Sequence, residues 1–407
     1  MSMGQLPEEK RSQPARAARW AALAVLLAAN PGCTRERLAS SERLTLASQP
    51  GPNATRTVVD DERGRQVPVV TVALEPLTRI PWGGGALPVV SPDGTKAATE
   101  ARSTATWPER VGDPLAPAGF DTQIEAVSLD RATPGAPLSR LEGPWLLGRA
   151  ATDRGFLVER PRPDGRRWIA MAGWSGGLEP IADDEWCNAH ATVRPDGALA
   201  WSRRQPEGGD WELVVRVAGR QAVVRAPEGS GWVLPVFAGD GNGLFALRLD
   251  GNAVSLAWMP FGDDGLPAED GGGTAGTSVP LTVRGGLSWA VRALSPVGGL
   301  NAAPPGSDRV SLWLPDAGRA ALWAPGAEPE LLPRGSMAAL RVDEGNVLVT
   351  TADALLRHRL GSTGTDETLS TESWFACPPP VPGRRLVAFR VRSRTAEFAE
   401  LRLSITQ

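Results

Sequence analysis

Between Trp186 and Gly231 the chain runs through four short strand-like segments, WCNAHATVRPDG, ALAWSRRQPEGGD, WELVVRVAG and RQAVVRAPEGSG, and at Trp232 the pattern starts again. In the third segment Trp211, Leu213, Val215 and Val217 alternate with Glu212, Val214 and Arg216. In the fourth, Ala222, Val224 and Ala226 alternate with Gln221, Val223 and Arg225. A period of two puts one set on a buried face and the other on a wetter one, as a half-covered strand requires. A lone four-stranded sheet cannot bury both faces, so a recurring one needs copies of itself as neighbours.

The unit recurs from Trp82 onward. An aromatic residue opens it at Trp82, Trp145, Trp186, Trp232, Trp289 and Trp374, and Met337 stands in the one gap. The openers are spaced 63, 41, 46, 57, 48 and 37 residues apart, close to the ~40–50 of a propeller blade. Eight to eleven residues after most openers comes an Asp/Pro–Gly turn, at Pro92-Asp93-Gly94, Asp153-Arg154-Gly155, Pro195-Asp196-Gly197, Asp240-Gly241 and Pro382-Gly383. Weaker versions stand at Pro296-Val297-Gly298 and Asp343-Glu344-Gly345. Asp in such a turn bonds its own backbone, and Gly takes the positive φ of a tight hairpin.

Seven openers imply seven blades, over approximately 82–144, 145–185, 186–231, 232–288, 289–336, 337–373 and 374–407. The last is short: Trp374–Gln407 supplies three strands only. The missing outer strand is available upstream, because Val67–Leu77 (VPVVTVALEPL) precedes Trp82 with no inner strands of its own. The expectation is an all-β, seven-bladed β-propeller over residues 67–407, closed by an N-terminal strand that completes the last blade, with six or eight blades as alternatives. Closure would remove the open sheet edges that invite aggregation.

Ser91–Gly94 (SPDG) and Arg194–Gly197 (RPDG), each between two β runs, resemble the PD40 repeat of TolB-like β-propellers. The similarity runs weakly over residues 82–407 and is strongest in the first three blades. It implies the propeller fold and a periplasmic or surface habitat. TolB carries an α/β domain ahead of its propeller, and nothing in residues 34–66 has that pattern, so the resemblance does not extend to the Tol–Pal partner set.

Residues 1–33 read as an export signal: Arg11, Arg16 and Arg19 precede the apolar run Trp20–Ala29, and small residues with Cys33 follow. The run is too short for a bilayer span, which needs about 20 apolar residues. Gly32-Cys33 resembles the end of a bacterial lipobox, whose cysteine becomes lipidated, although Asn30-Pro31 departs from it. Plain secretion and an uncleaved anchor are the alternatives. Residues 34–66 would be a tether between lipid and propeller. The expected address is the periplasm, or the outer membrane or cell surface, with membrane attachment through the N-terminal lipid.

The net charge of −3 argues against a nucleic-acid binder, which needs a basic surplus to neutralise phosphates. Without the residues before Cys33, 39 basic and 44 acidic side chains remain, or −5. Three cysteines, Cys33, Cys187 and Cys377, make no disulfide framework. Two histidines cannot build a multi-histidine metal centre. Gly173–Gly177 (GWSGG) spells a nucleophile elbow around Ser175, but that motif has meaning only on a strand-to-helix turn. Cys187 and His190, three apart on a strand, should face opposite ways. The acidic insert Gly262–Ser278 lacks calcium-loop spacing. The opener tryptophans are read as wedges between blades in preference to a ligand-stacking ring.

The feature that points to binding is basic. The turns joining second and third strands in blades two and three carry Arg160, Arg162, Arg166, Arg167, Arg203 and Arg204, and the long excursion Arg102–Asp121 of blade one adds Trp107 and Arg110. Arginine forks suit carboxylate or phosphate groups, and indoles suit sugar or peptide faces. The alternative is that these arginines pair with nearby Asp and Glu. The function expected is therefore recognition, without a catalytic centre, metal or cofactor: a monomeric disc binding an envelope protein, a peptide or an anionic glycan at one face. A propeller hydrolase or lyase of extracellular polymer is the alternative function, and a purely structural member of an envelope complex is a third.

Overall fold

The computed structural model describes residues 69–106, 110, 112–113, 119–251, 253–267, 278–281, 309–314, 317–341, 346–361, 366–377 and 385–406. The export signal, Cys33 and the tether expected over 34–66 lie outside them, as do Trp107 and Trp289. Among the described residues the strands form six sheets. Three are four-stranded meanders. One holds Val89–Val90, Lys96–Ser103, Thr122–Ser128 and Pro137–Gly143. A second holds Ser230–Phe237, Gly243–Asp250, Ala253–Pro260 and Ser278–Leu281. The third holds Ser336–Arg341, Asn346–Thr351, Leu355–Arg359 and Glu367–Ser370.

An eight-stranded sheet spans Leu146–Ala151 to Arg220–Val224, and its two halves are joined only where Cys187 pairs with Arg167 in parallel. A three-stranded sheet holds Val310–Leu314, Arg319–Trp323 and Glu330–Leu331. The opening run expected at Trp289 falls among residues outside the description. The sixth sheet joins the two ends of the described chain. Val69–Pro81 lies antiparallel along Thr395–Thr406, from Val69 opposite Thr406 to Pro81 opposite Thr395, and Leu386–Arg392 and Phe375–Cys377 follow. At several junctions the first strands of neighbouring sheets touch, as Val89–Val90 does with Leu146–Ala151, Cys187–Val193 with Ser230–Phe237 and Val310–Leu314 with Ser336–Arg341. The chain is an all-β propeller, the fold its Asp–Gly turns and resemblance implied.

The alternation within a blade needs one correction. Val214, assigned to the wetter face, has no exposed surface. It packs with Leu157, Ile169 and Trp201, while Leu213 and Val215 pack with Val224, Phe237 and Leu244 on the other face. Each sheet is sandwiched between neighbours, so β-branched residues pointing either way are buried.

Four of the first strands share a defect. Register shifts interrupt them between Leu147 and Ala151, Ala189 and Thr192, Val233 and Val236, and Ser336 and Ala338. Within two of these bulges a non-glycine residue is left-handed, His190 at φ 59° and Leu234 at φ 54°, a conformation that costs about 1–2 kcal/mol. The bulge also undoes strict alternation between Cys187 and His190. Trp211 meets both, with the His190 ring tilted against it at 5.4 Å between centres and Cys187 in the same buried cluster.

The Asp–Gly turns work as their residues dictate. Thr95 donates from its amide (3.0 Å) and hydroxyl (2.7 Å) to Asp93 Oδ1, and Ser91 donates at 2.5 Å. Partial burial alone would raise the Asp93 carboxyl, but these bonds and Lys96 outweigh it and bring it down to about 2. Gly94 is left-handed at φ 70°, and a Cβ there would stand 2.7 Å from the carbonyl oxygen of Arg385. The turn thus packs against the sheet that joins the two ends.

Candidate functional site

Cross-strand register explains where the arginines go. Trp232 on a first strand pairs with Arg248 on the second, and the guanidinium lies 5.9 Å from the ring centre. The same arrangement puts Arg160 over Trp145 at 5.4 Å and Arg390 over Trp374 at 4.7 Å, while Arg203, opposite Asn188, reaches diagonally over Trp186 at 4.3 Å. Cation–π contact of this kind favours both partners by about 0.5–2 kcal/mol. Four of the opener tryptophans, Trp145, Trp186, Trp232 and Trp374, therefore present their faces to arginines on the strand beside them.

Next to these ladders, the turn after Gly155–Pro161 carries a denser group. Arg162 lies 4.4 Å from the Trp168 ring centre, and Arg166 donates from Nε to Asp164 at 2.8 Å. Asp164 also stands 4.0 Å from Arg162. The Arg166 hydrogen bonds hold the Asp164 carboxyl below its usual range, and the Arg166 guanidinium is raised in turn. Both arginines keep about a third of their side-chain surface in solvent. Among the described residues Arg160, on the strand leading into the turn, has no ion pair, so the three guanidiniums share one ion-pairing carboxylate, Asp164, with Glu185 attracting Arg166 from farther off. Arg203 is different: it donates twice to Glu212, at 3.1 and 3.0 Å, and Glu212 also accepts from Arg225.

The remaining predicted arginines are drawn inward. Arg110 grips the fully buried Glu100 at 2.6 and 3.1 Å and donates to Ser103 at 2.8 Å. Glu100 Oε1 also accepts the Leu147 amide of the next blade at 2.9 Å. Glu159 repeats the device one blade on. Its Oε1 accepts the Ala191 amide at 3.2 Å, and Oε2 accepts from Arg167 at 2.9 Å. Arg167 is 1% exposed.

Around Glu159 more positive charge has gathered than it neutralises. Arg149 lies in the bulge of Leu146–Ala151, with burial of its guanidinium bringing it down to about 10 against the attraction of Glu159. Arg204 stands 4.7 Å from the Trp211 ring centre and is likewise lowered by burial, with Cys187 and Asp113 opposing that shift. Burial pushes the Cys187 thiol up despite Arg167 and Arg204, so at neutral pH it is a neutral neighbour and a free cysteine.

The excursion of the first blade reaches this cluster. Its base is held by Arg102 on Asp121 at 2.7 Å and by the Thr104 amide on the Asp121 carbonyl at 3.0 Å. Farther along, the Arg110 carbonyl accepts from Arg167 at 3.4 Å and the Gly112 carbonyl from Arg204 at 3.2 Å. Gly112 is left-handed (φ 81°), and a Cβ on it would come within 3.1 Å of Ala189 and Trp211. Only glycine meets both demands. Sequence reasoning missed Arg149 and Glu159 because neither belongs to a turn or a motif. The signal was available in Glu100 and Glu159, acids in the middle of otherwise buried second strands.

The other candidates fall elsewhere. Ser175 is exposed on a hairpin turn, with Gly176 and Gly177 both at positive φ, between Arg167–Gly173 and Leu178–Ala182. His358 Nδ1 lies 2.6 Å from Asp366. In the acidic insert, Asp264 pairs with Arg220 at 2.9 Å. Among the described residues no three His, Cys, Asp or Glu side chains gather as metal ligands.

No protein-family model matches the chain, and no curated protein matches it. Among solved structures it is similar to the Dos1 propeller (10% identity over 80% of this chain and 95% of that one, TM-score 0.48). It is also similar to a virginiamycin B lyase from Staphylococcus aureus (14% identity, 83% and 100% covered, TM-score 0.44). TolB from Acinetobacter baumannii is a further similar structure (13% identity, 76% and 64% covered, TM-score 0.34).

Proposed function

We propose that this propeller is a recognition disc without a catalytic centre of its own, exported and held to a membrane by a lipid on Cys33, with residues 34–66 as the tether. In this reading the two halves of the eight-stranded sheet count as separate blades. The six sheets then make seven blades, with Val69–Pro81 completing the last. The partner is an envelope protein, peptide or anionic glycan, bound at the face where the turns of blades two and three lie. The observation that carries the reading is the group Arg160, Arg162 and Arg166 at this turn, whose one ion-pairing carboxylate among the described residues is Asp164. Its guanidiniums are already positioned by Trp145 and Trp168, so little side-chain entropy remains to be lost on binding.

The test is direct binding of the purified chain to acidic and neutral polysaccharides and peptides, with Arg162→Glu plus Arg166→Glu as the control. Acidic ligands should be retained and neutral ones not, with loss in the double variant. Equal retention by the double variant rules out this face. Turnover of any of these polymers that disappears on Ser175→Ala or His190→Ala would replace recognition with catalysis. Globomycin sensitivity and the mass of the Cys33 peptide test the anchor separately.

A further inference from the structure

We propose that Arg149, Arg167 and Arg204, at the junction of the second and third blades, form a binding site for one oxyanion, a carboxylate or phosphate-type group. The proposal deepens the recognition reading and rests on the same basic sector, but it concerns a property the isolated protein would have. Among the described residues three guanidiniums stand here with two carboxylates, Glu159 and Asp113, a surplus of one positive charge. Buried positive charge without a counter-charge is unfavourable, so a mobile anion is the expected complement.

The hydrogen bonding points the same way. Arg149 Nε, Arg167 Nη2 and Arg204 Nε are all buried with no acceptor among the described residues. Buried N–H donors are almost always paired in folded proteins, so three orphaned guanidinium donors in one cluster call for a missing acceptor. Apart from the Arg167–Glu159 bond, the contacts that do exist are poor substitutes: neutral carbonyls of Arg110 and Gly112 at 3.4 and 3.2 Å, and a protonated thiol.

The neighbouring junction shows what a satisfied site looks like. There one guanidinium, Arg110, meets one carboxylate, Glu100, through two bonds and adds a third to Ser103. The surplus is therefore particular to the second junction. Access is also provided for, because Arg149 and Arg204 are half-buried while Arg167 forms the floor. That floor is held in place, since Glu159 ties Arg167 to the amide that follows the left-handed His190. Arginine forks are matched to planar or tetrahedral oxyanions, which accept several N–H bonds at once.

The experiment is calorimetric titration of the whole purified chain with sodium phosphate and, separately, sodium acetate, at fixed ionic strength in a buffer otherwise poor in anions. One saturable site per chain is expected, with at least a tenfold loss of affinity in Arg149→Met and in Arg204→Met. Arg149→Lys, which keeps the charge but loses Nε, should fall between them and the parent. In the anion-poor buffer Arg149→Met should unfold at the same or a higher temperature than the parent, because it removes an uncompensated charge. Arg154→Met, at the exposed pair with Glu179, is the neutral control. No saturable binding of either anion, or affinity unchanged in both methionine variants, overturns the site and leaves an adventitious ion only. Phosphate against acetate decides between the two anion types. Anion binding with no polymer retained would sink the recognition role alone, whereas polymer retention indifferent to Arg149→Met would sink this site alone.

Discussion

The junctions ahead of the third blade and those beyond it are filled by opposite means. Between the first three blades a buried carboxylate reaches across, Glu100 to the Leu147 amide and Glu159 to the Ala191 amide. Beyond the third, the residue preceding the tryptophan-covering arginine changes character, from Glu159 before Arg160 to Ser202 before Arg203 and Leu247 before Arg248. At the junction between Ser230–Pro260 and the three-stranded sheet after it the wedge is carbon: Phe245 packs tilted against Trp258 at 4.8 Å and meets Trp323 edge-on at 5.6 Å, with Leu247, Val233 and Val310 around them. Apolar burial holds blades together without specifying much about their offset. A carboxylate that must accept a particular amide fixes that offset, but it has to be desolvated and needs a guanidinium to compensate. One fold thus uses an adhesive junction on one side and an indexed junction on the other.

The sharpest way to break this contrast is Glu159→Leu. It strands Arg149 and Arg167 without their carboxylate and should cost about 3–5 kcal/mol in urea unfolding. Adding Arg167→Met should return most of that loss, since a buried pair replaced by carbon is close to neutral. If Glu159→Leu costs no more than an exposed pair, the indexed junction is an illusion of proximity. On the apolar side Leu247→Ala, at a site with no exposed surface, should cost about 3 kcal/mol through lost burial and a cavity. No second substitution of a charged residue should rescue it.

Much of the ring was legible in the sequence because its cause is local. The Asp–Gly turns and two-residue alternation fix hairpins, and the surplus strand ahead of Trp82 matched the deficit after Trp374. The pairing of Val69–Pro81 with Thr395–Thr406 runs a few residues beyond the Leu77 boundary. What sequence periodicity could not carry is the first-strand bulge, which moves His190 off the alternation, and the partner of each arginine. Arg110, Arg167 and Arg204 read as turn residues available to a ligand, yet Glu100 lies ten residues from Arg110, and Gly112 lies 92 from Arg204. Contacts of that separation depend on how blades stack. Trp107, also placed in the basic cluster, is outside the described residues.

A smaller effect separates the junctions by pH. The Asp93 carboxyl, held at about 2 against an ordinary 3.8, is depressed on folding. Its contribution is therefore fully present above about pH 4 and is lost as pH falls from about 4 towards 2. Discounted for its partial exposure it amounts to about 1 kcal/mol. Asp93→Asn should lower stability by that much at pH 7 and flatten the acid limb of the stability profile. Leu247→Ala should shift that limb without flattening it. Parallel acid limbs for both variants would mean that Asp93 is not held by its turn.

The smallest effect expected is at the base of the first-blade excursion. Arg102 and Asp121 form a charged pair at 2.7 Å, but 63% and 56% of their side-chain surfaces remain in water. Solvent screening leaves such a pair worth about 0.2–1 kcal/mol, and the Thr104 amide still reaches the Asp121 carbonyl whatever the side chain. Asp121→Asn should therefore lower the unfolding free energy by less than about 0.5 kcal/mol at low salt, and by nothing measurable in 1 M salt, where the Debye length is about 3 Å. A loss that persists in high salt would mean that the excursion depends on this pair to carry Gly112 to Arg204. The indexed side of the ring would then be held from its surface as well as from its buried carboxylates.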